Sequence, residues 1–398
     1  MAFYRSTVRT LALSTFLVAL PFHTALAQEA DAVGERLKAV LAQQGIEVSW
    51  SGISGDASEM VISGASFAVD GTSEKVTLGD IRLSDITEAN GGYTVGTVTL
   101  PNYSATEDGA TVNVSGISLT GLKLPAEGDT DPVASMLFYK TADLANVTVS
   151  MDGKTPFTMN QLHFEITPPE GGDAAEFTGA AEKFTVDLSV IEDADTRKTL
   201  EKLGYQTVEG YFELAGSWQP SDGSLELSQY DISINNAGTL GLTFELGGYT
   251  PDFIKSMQEM QKQMASQPGG GDNSAQGLAM LGLLQQLTFH SASIRFDDDS
   301  LTGKLLDMFA AQQGMKASDL ANQAKAIVPF LMAQLNNPEL TKQVTTAIST
   351  YLDNPQNIEI TAEPENPVPF AVIMAGAMSP SPQDLLKTLG VSVTANED

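Results

Sequence analysis

Cysteine is absent from all 398 residues. The chain therefore has no disulfide, no lipid-bearing cysteine and no thiol nucleophile. Histidine is nearly absent as well, with three copies, of which His23 lies in an N-terminal leader. His163 and His290 each sit in an alternating strand pattern with no second histidine nearby, so zinc or copper has almost no ligands to draw on. Both read as ordinary strand side chains. Basic residues are scarce, 21 against 50 acidic ones, for a formal charge of -29. Beyond residue 27 only Arg36, Arg82, Arg197 and Arg295 remain as arginines, and they do not cluster. Nucleic-acid binding, phosphate clamps and direct docking on an anionic membrane surface are all disfavoured. Tryptophan occurs twice, at Trp50 and Trp218, few for the aromatic platforms of a sugar site. Long apolar runs are missing too. The run Leu278 to Leu287 is broken by Gly282, Gln285 and Gln286 and does not predict a membrane span.

The N-terminus carries an address. Arg5 and Arg9 precede an apolar run from Leu11 to Leu20, and Ala25-Leu26-Ala27 stands just before Gln28. That is the layout of a cleavable secretory signal over residues 1 to 27, and the run is shorter than the ~20 residues a span requires. Without Arg5 and Arg9 the mature chain has 19 basic and 50 acidic residues, a charge of -31. An exported chain of this size without disulfides points to a bacterial periplasm, and the sequons at Asn102, Asn113 and Asn146 are then chance matches.

The organising feature is a strand unit. With Φ for an apolar residue, Φ-x-Φ-x-x-Φ-x-Φ occurs at Met60, Ile62, Ala65, Phe67; at Val76, Leu78, Ile81, Leu83; at Tyr93, Val95, Val98, Leu100; and at Val112, Val114, Ile117, Leu119. Further copies run from Phe157 to Phe164, Leu225 to Ile232 and Leu287 to Ile294. Residues two apart share a strand face, so the three-residue step would turn the second half outward unless a β-bulge absorbs one residue. Gly64, Gly79 and Gly96 stand at such steps. The first four copies begin 16, 17 and 19 residues apart with turns between, a spacing suited to an antiparallel meander. The expected fold is α+β and β-dominated: a curved antiparallel sheet of repeated bulged strands, with C-terminal helices packed along it. A β-solenoid is the alternative.

An amphipathic helix is expected over 32 to 43, with Val33, Leu37, Val40 and Leu41 on one stripe and Gly45 as its stop. Residues 28 to 249 form the helix and sheet region, interrupted by a short helix from about Asp193 to Leu203 before Gly204. Residues 250 to 398 are helix-rich with added strands, on the same body. Phe253, Met257, Met260 and Met264 make an apolar stripe beside Pro268-Gly269-Gly270-Gly271-Asp272, readable as core packing or as an adaptable lid. Asp297-Asp298-Asp299 lacks the glycine and distal glutamate of an EF-hand loop and reads as a turn with a helix cap, since Ser300 begins a helical pattern. Gly52-Ile53-Ser54-Gly55 lacks the last glycine of a nucleophile elbow. No catalytic, cofactor-binding or metal-binding residue is assigned.

The strands with a glycine at the bend, Val76 to Leu83 and Tyr93 to Leu100, resemble the β-rich repeats of AsmA-like envelope proteins of Gram-negative bacteria. The likeness covers about residues 45 to 300. It implies a periplasmic β-groove and a role in outer-membrane lipid homeostasis, and it brings no functional residue with it. A cleaved leader departs from that family, whose members keep a membrane anchor. The first functional reading is a non-enzymatic exported envelope protein that binds or shelters a lipid or another envelope component. The alternatives are an extracytoplasmic hydrolase using paired carboxylates and a structural or adhesive protein binding through its strand edges.

Overall fold

The computed structural model describes residues 26–69, 75–129, 133, 136–169, 172–265, 273–379, 381 and 383–397. Most of the leader, the turn at Asp70-Gly71-Thr72 and the segment Pro268 to Asp272 lie outside these residues. In chain order the structure opens with α1 (Leu26–Gln43), β1 (Ile46–Ser49), β2 (Gly52–Gly55), β3 (Glu59–Val69), β4 (Lys75–Ala89) and β5 (Gly92–Leu100). Then come β6 (Tyr103–Glu107), β7 (Ala110–Leu124), β8 (Thr141–Met151), β9 (Lys154–Thr167) and β10 (Ala175–Asp187). Next are α2 (Ala194–Leu203), β11 (Thr207–Gln219), β12 (Ser224–Ile234), β13 (Gly238–Gly247), α3 (Pro251–Ala265), α4 (Asn273–Leu284) and β14 (Thr288–Asp298). The chain closes with α5 (Leu301–Gln313), α6 (Ala317–Met332), α7 (Pro338–Asp353), β15 (Asn357–Ala362), β16 (Val368–Pro369), α8 (Phe370–Ala377), α9 (Gln383–Thr388) and β17 (Val391–Ala395).

The protein is β-dominated, with a large open antiparallel sheet and several C-terminal helices. Every ladder whose register is defined among the described strands is antiparallel, which removes the solenoid alternative. Contacts divide the chain into two units, residues 1–182 with 250–275, and residues 183–249 with 276–398.

In the first unit β3, β4, β5, β7, β8 and β9 pair in that order, β1 and β2 share the outer edge of β3, and β6 is an excursion that folds back on β7. Each copy of the strand unit here lies inside one continuous strand. Another copy, Ala142, Leu144, Val147 and Val149, occupies β8.

The three-residue steps are taken up in two ways. Between β3 and β4 the register shifts at Ala65, the expected bulge, with Gly64 at φ 62° and Gly79 at φ 95°. From β4 to β8 there is no slip, because the steps of neighbouring strands are aligned. Asp85 on β4, Gly96 on β5 and Gly121 on β7 fall in one transverse row, where the ladder pairs flanking each keep constant register. Gly116 on β7, Ala145 on β8 and Gln161 on β9 form a second row. Left-handed backbone occurs on alternate strands of each row, at Asp85 (φ 55°) and Gly121 (φ 62°), and at Gly116 (φ 64°) and Gln161 (φ 52°). A crease shared by neighbours leaves the ladder intact, whereas a bulge in one strand alone costs a hydrogen-bonded pair. The expectation of a bulge in every copy is thereby corrected: in most of this unit the kink is collective.

Gln161 is the residue least suited to its crease, since a glutamine at positive φ costs about 1 kcal/mol. Its exposed side chain gives back only a hydrogen bond from Nε2 to Glu182 Oε2 at 2.5 Å. Gln161→Gly is expected to raise unfolding free energy by about 0.5 kcal/mol in urea titration, the greater freedom of glycine in the unfolded chain trimming the gain. A lower midpoint would mean that the Glu182 contact outweighs the backbone.

The apolar positions of β3, β4, β5 and β7 form a filled core, and those of β8 and β9 are partly buried at its side. Met60, Ile62, Ile81, Leu83, Val95, Val98, Leu122 and Leu124 are each at most 2% exposed, and they pack with Val33, Leu37 and Leu41 of α1. The amphipathic helix therefore closes the face the repeats create, and Gly45 at φ 78° ends it as expected.

In the second unit β11 to β15 pair consecutively, β17 adds to β15, and β16 pairs with the start of β14. Only alternate strands carry a step here, so true register shifts appear at Ala215/Gly216, Leu227/Asp231 and Glu245/Leu246. The short helix α2 is capped as its sequence predicts, Asp193 accepting from the Thr196 N–H at 2.7 Å and Gly204 turning left-handed at φ 80°.

Candidate functional site

The second unit's sheet has two unlike faces. On one, paired hydroxyls and charges satisfy each other: Ser233 with Thr239 at 2.7 Å, Thr243 with Ser293 at 3.0 Å, and Thr361 with Ser392 at 2.7 Å. Arg295 donates to Asp297 at 3.0 Å and to Glu359 at 3.5 Å, and these contacts raise its already high pKa further, the hydrogen bond to Asp297 foremost.

The opposite face is hydrocarbon. One row crosses four strands, Leu242, Ile294, Ile360 and Val393, and beside it runs Ile232, Leu240, Phe296, Ile358 and Ala395. A third row, Phe244, Ala292, Ala362 and Val391, lies on the other side. Because side chains alternate strictly along a strand, this register commits all three rows to the same face.

Helices cover only part of it. Ala347, Tyr351 and Leu352 of α7 pack on Phe296, Ile358, Val393 and Ala395. Leu200 and Leu203 of α2, with Leu301, Leu305 and Met308 of α5, pack around Ile234. Between these covers Leu240, Ile294 and Ile360 remain 48%, 51% and 49% exposed. Ile294 and Ile360 are direct ladder partners, and Leu240 is the diagonal neighbour of Ile294. In the first unit most repeat residues of β3, β4, β5 and β7 are buried, and those of β8 and β9 are partly buried, none as open as these three, so this uncovered patch marks a candidate site.

Two open clefts flank α7. One, of about 490 Å³, lies between α6 and α7 and is lined by Pro329, Asn336, Asn337, Thr341 and Thr345 among others. The other, of about 380 Å³, lies where α7 meets β17 and is lined by Gln343, Thr346, Thr350, Ser392 and Thr394 among others. Both are rich in threonine and amide side chains; Lys342 borders both, and the second also carries Glu339 and Glu397.

The residues singled out from the sequence are dispersed. His163 of β9 meets Asp143 of β8 at 2.7 Å, and His290 of β14 meets Glu245 of β13 at 3.3 Å. Each is thus a cross-strand partner. Asp298 caps α5 by accepting from the Thr302 N–H at 2.9 Å. Ser300 does not cap; its hydroxyl donates to the Asn236 carbonyl at 2.5 Å, where Tyr205 at 2.6 Å and Lys304 at 2.9 Å also donate, tying α5 to the β12–β13 turn. Burial holds the Tyr351 hydroxyl above the ordinary tyrosine range, against its 2.6 Å hydrogen bond with Thr302. Phe253 and Met260 of α3 are buried, as core packing requires; the Met264 side chain lies outside the described residues. Trp218 is buried with its Nε1–H on the Tyr249 carbonyl at 2.8 Å, and Trp50 is half-buried under Lys38. Neither is an exposed sugar platform. Among the described residues no group of three or more histidine, aspartate or glutamate side chains is placed to hold a metal ion, and no helix is long and apolar enough to cross a membrane.

Sequence inspection did not single out the face formed by Leu240, Ile294 and Ile360. Its signal is alternation of apolar residues through β13, β14 and β15, and the same signal describes the buried strands.

No curated protein matches the chain. A family profile described as an uncharacterized protein matches residues 231–396, the stretch from β12 to β17 that builds nearly all of the uncovered face.

Proposed function

We propose that the chain is a non-enzymatic exported envelope protein that shelters an apolar chain, such as the acyl chain of a lipid, on the uncovered sheet face of its second unit. One observation carries this reading: Leu240, Ile294 and Ile360 stand about half exposed side by side on an apolar face that helices cover only in part. Completing the burial of an aliphatic side chain is worth up to about 1.5–3 kcal/mol, so three half-buried ones offer about 3 kcal/mol gross to a guest. The row from Leu242 to Val393 crosses three inter-strand gaps, about 14 Å, which suits an extended hydrocarbon laid across the strands. The rows offer no hydrogen-bonding side chain, so selection by a polar head would have to act at their margins. The leader-like residues before Gln28 supply the route to the envelope.

The test is lipid extraction and mass spectrometry of protein purified from the envelope. Bound acyl lipid is expected with the native chain, and Ile294→Glu should remove most of it without moving the unfolding midpoint by more than a small amount. Native protein that carries no lipid and binds none from micelles would end this reading.

A further inference from the structure

A second apolar feature stands apart from that face and concerns the outer surface. About one residue in six of the chain is charged, yet none of Asp, Glu, Lys or Arg occurs from Asn273 through Ile294 or from Asn366 through Gln383. These two windows are remote in sequence and meet in the fold. Thr288 and Phe289 at the start of β14 pair with Pro369 and Val368 of β16, and the Phe370 N–H donates to the Leu287 carbonyl at 3.1 Å. The end of α4 and the start of α8 are thereby fixed to the same end of β14. Their side chains remain open: Leu281 is 37% exposed, Val372 47%, Met374 37% and Met378 83%, and no residue of α8 is fully buried. Helix α9 packs on α8 at Gly376, where an added Cβ would lie 3.1 Å from Leu385, and it leaves Val372 and Met378 exposed.

We propose that this end of the second unit docks on a lipid surface with neutral, zwitterionic headgroups, α4 and α8 lying in the headgroup and acyl boundary. Three properties select that occupant. The two windows contain no charged side chain and no Arg, Tyr or Trp, the residues most enriched at protein-interface hot spots, and their exposed large apolar side chains, Leu281, Val372, Met374 and Met378, are aliphatic or thioether. Helices of 12 and 8 residues are too short to cross a bilayer but long enough to sink their apolar sides into its boundary. The chain's charge of -29 works against anionic headgroups, and the missing lysines leave no basic face to offset it. The inference does not rest on the sheltering of an acyl chain, since a docking surface can act whether or not the sheet face is occupied.

Flotation of the purified mature chain with phosphatidylcholine vesicles tests it. The native chain is expected to float, and to float less when phosphatidylglycerol is added. The double variant Val372→Glu with Met378→Glu, both at exposed positions, should lower the vesicle-bound fraction at least tenfold while far-ultraviolet circular dichroism and the unfolding midpoint stay unchanged. Phe330→Glu, on the exposed side of α6, should leave flotation as it was. Three results would overturn the assignment: no flotation of the native chain, equal loss with Phe330→Glu, or a dimer that the double variant dissociates in the absence of any vesicle binding. Lipid carried in the same preparations reports separately on the sheet face.

Discussion

Gly116→Ala is expected to lower the unfolding free energy by about 2–4 kcal/mol, from two causes that can be separated. Gly116 lies in the second crease at φ 64°, where a side chain costs about 1–2 kcal/mol. An added Cβ would also stand 2.4 Å from the Ala145 Cβ on the neighbouring strand, and relieving such an overlap typically costs another 1–3 kcal/mol. Neither atom is the tip of a flexible side chain, so β7 and β8 would have to part. In an Ala145→Gly background the overlap disappears and the backbone cost remains, so the loss should fall to about 1–2 kcal/mol. Urea denaturation of the four proteins of this cycle measures both quantities. If the loss is the same in both backgrounds, the two strands do not meet at the crease as described.

The crease also shows what sequence can and cannot say about this fold. The step from two-residue to three-residue spacing is local, and it places a kink at Gly64, Gly79 and Gly96 because a strand with one buried face tolerates no other solution; the structure adds Gly116. Whether that kink becomes a bulge depends on the neighbour. Gly96 aligns with Asp85 on one side and Gly121 on the other only because β5 pairs with β7 and passes over β6. That pairing is non-local. Ala142, which opens the copy in β8, is too small to stand out in a pattern scored by bulk, although it is 8% exposed. The tract Asp297-Asp298-Asp299 reads as a turn with a helix cap, and Asp298 does cap α5. Ser300 has the better sequence position, but the Asn236 carbonyl, supplied by a distant hairpin, recruits its hydroxyl and leaves Asp298 to cap.

The candidate site was less legible than the fold, since exposure is decided by which helix lands where. Ile62 and Ile294 both sit in strands with apolar spacing, yet one is fully buried and the other half open. The charge-free windows are visible as composition, but in sequence the run from Leu278 to Leu287 stands out only as one that Gly282, Gln285 and Gln286 break. What the fold adds is the hydrogen bond and the ladder that bring this window beside Phe370.

That distinction between a filled and an uncovered apolar face predicts opposite responses to the same chemical change. Leu37→Ala should destabilise the first unit by about 2–5 kcal/mol. The side chain is 1% exposed, packs among residues equally buried, and leaves a cavity that a helix pinned by Val33 and Leu41 is poorly placed to collapse. Ile294→Ala should cost less than about 1 kcal/mol, because half of that side chain already faces solvent and no void is closed off when it is trimmed. Denaturant melts of the two variants, run on lipid-stripped protein, give the comparison. The second variant gains its meaning when lipid is restored. A guest lying across Leu242, Ile294, Ile360 and Val393 stabilises the folded state by mass action, so adding it should raise the midpoint of the native chain and raise that of Ile294→Ala less. Should Ile294→Ala instead prove as damaging as Leu37→Ala in stripped, dilute protein, the face must be covered in solution by the protein itself, and the case for a sheltered guest fails with it.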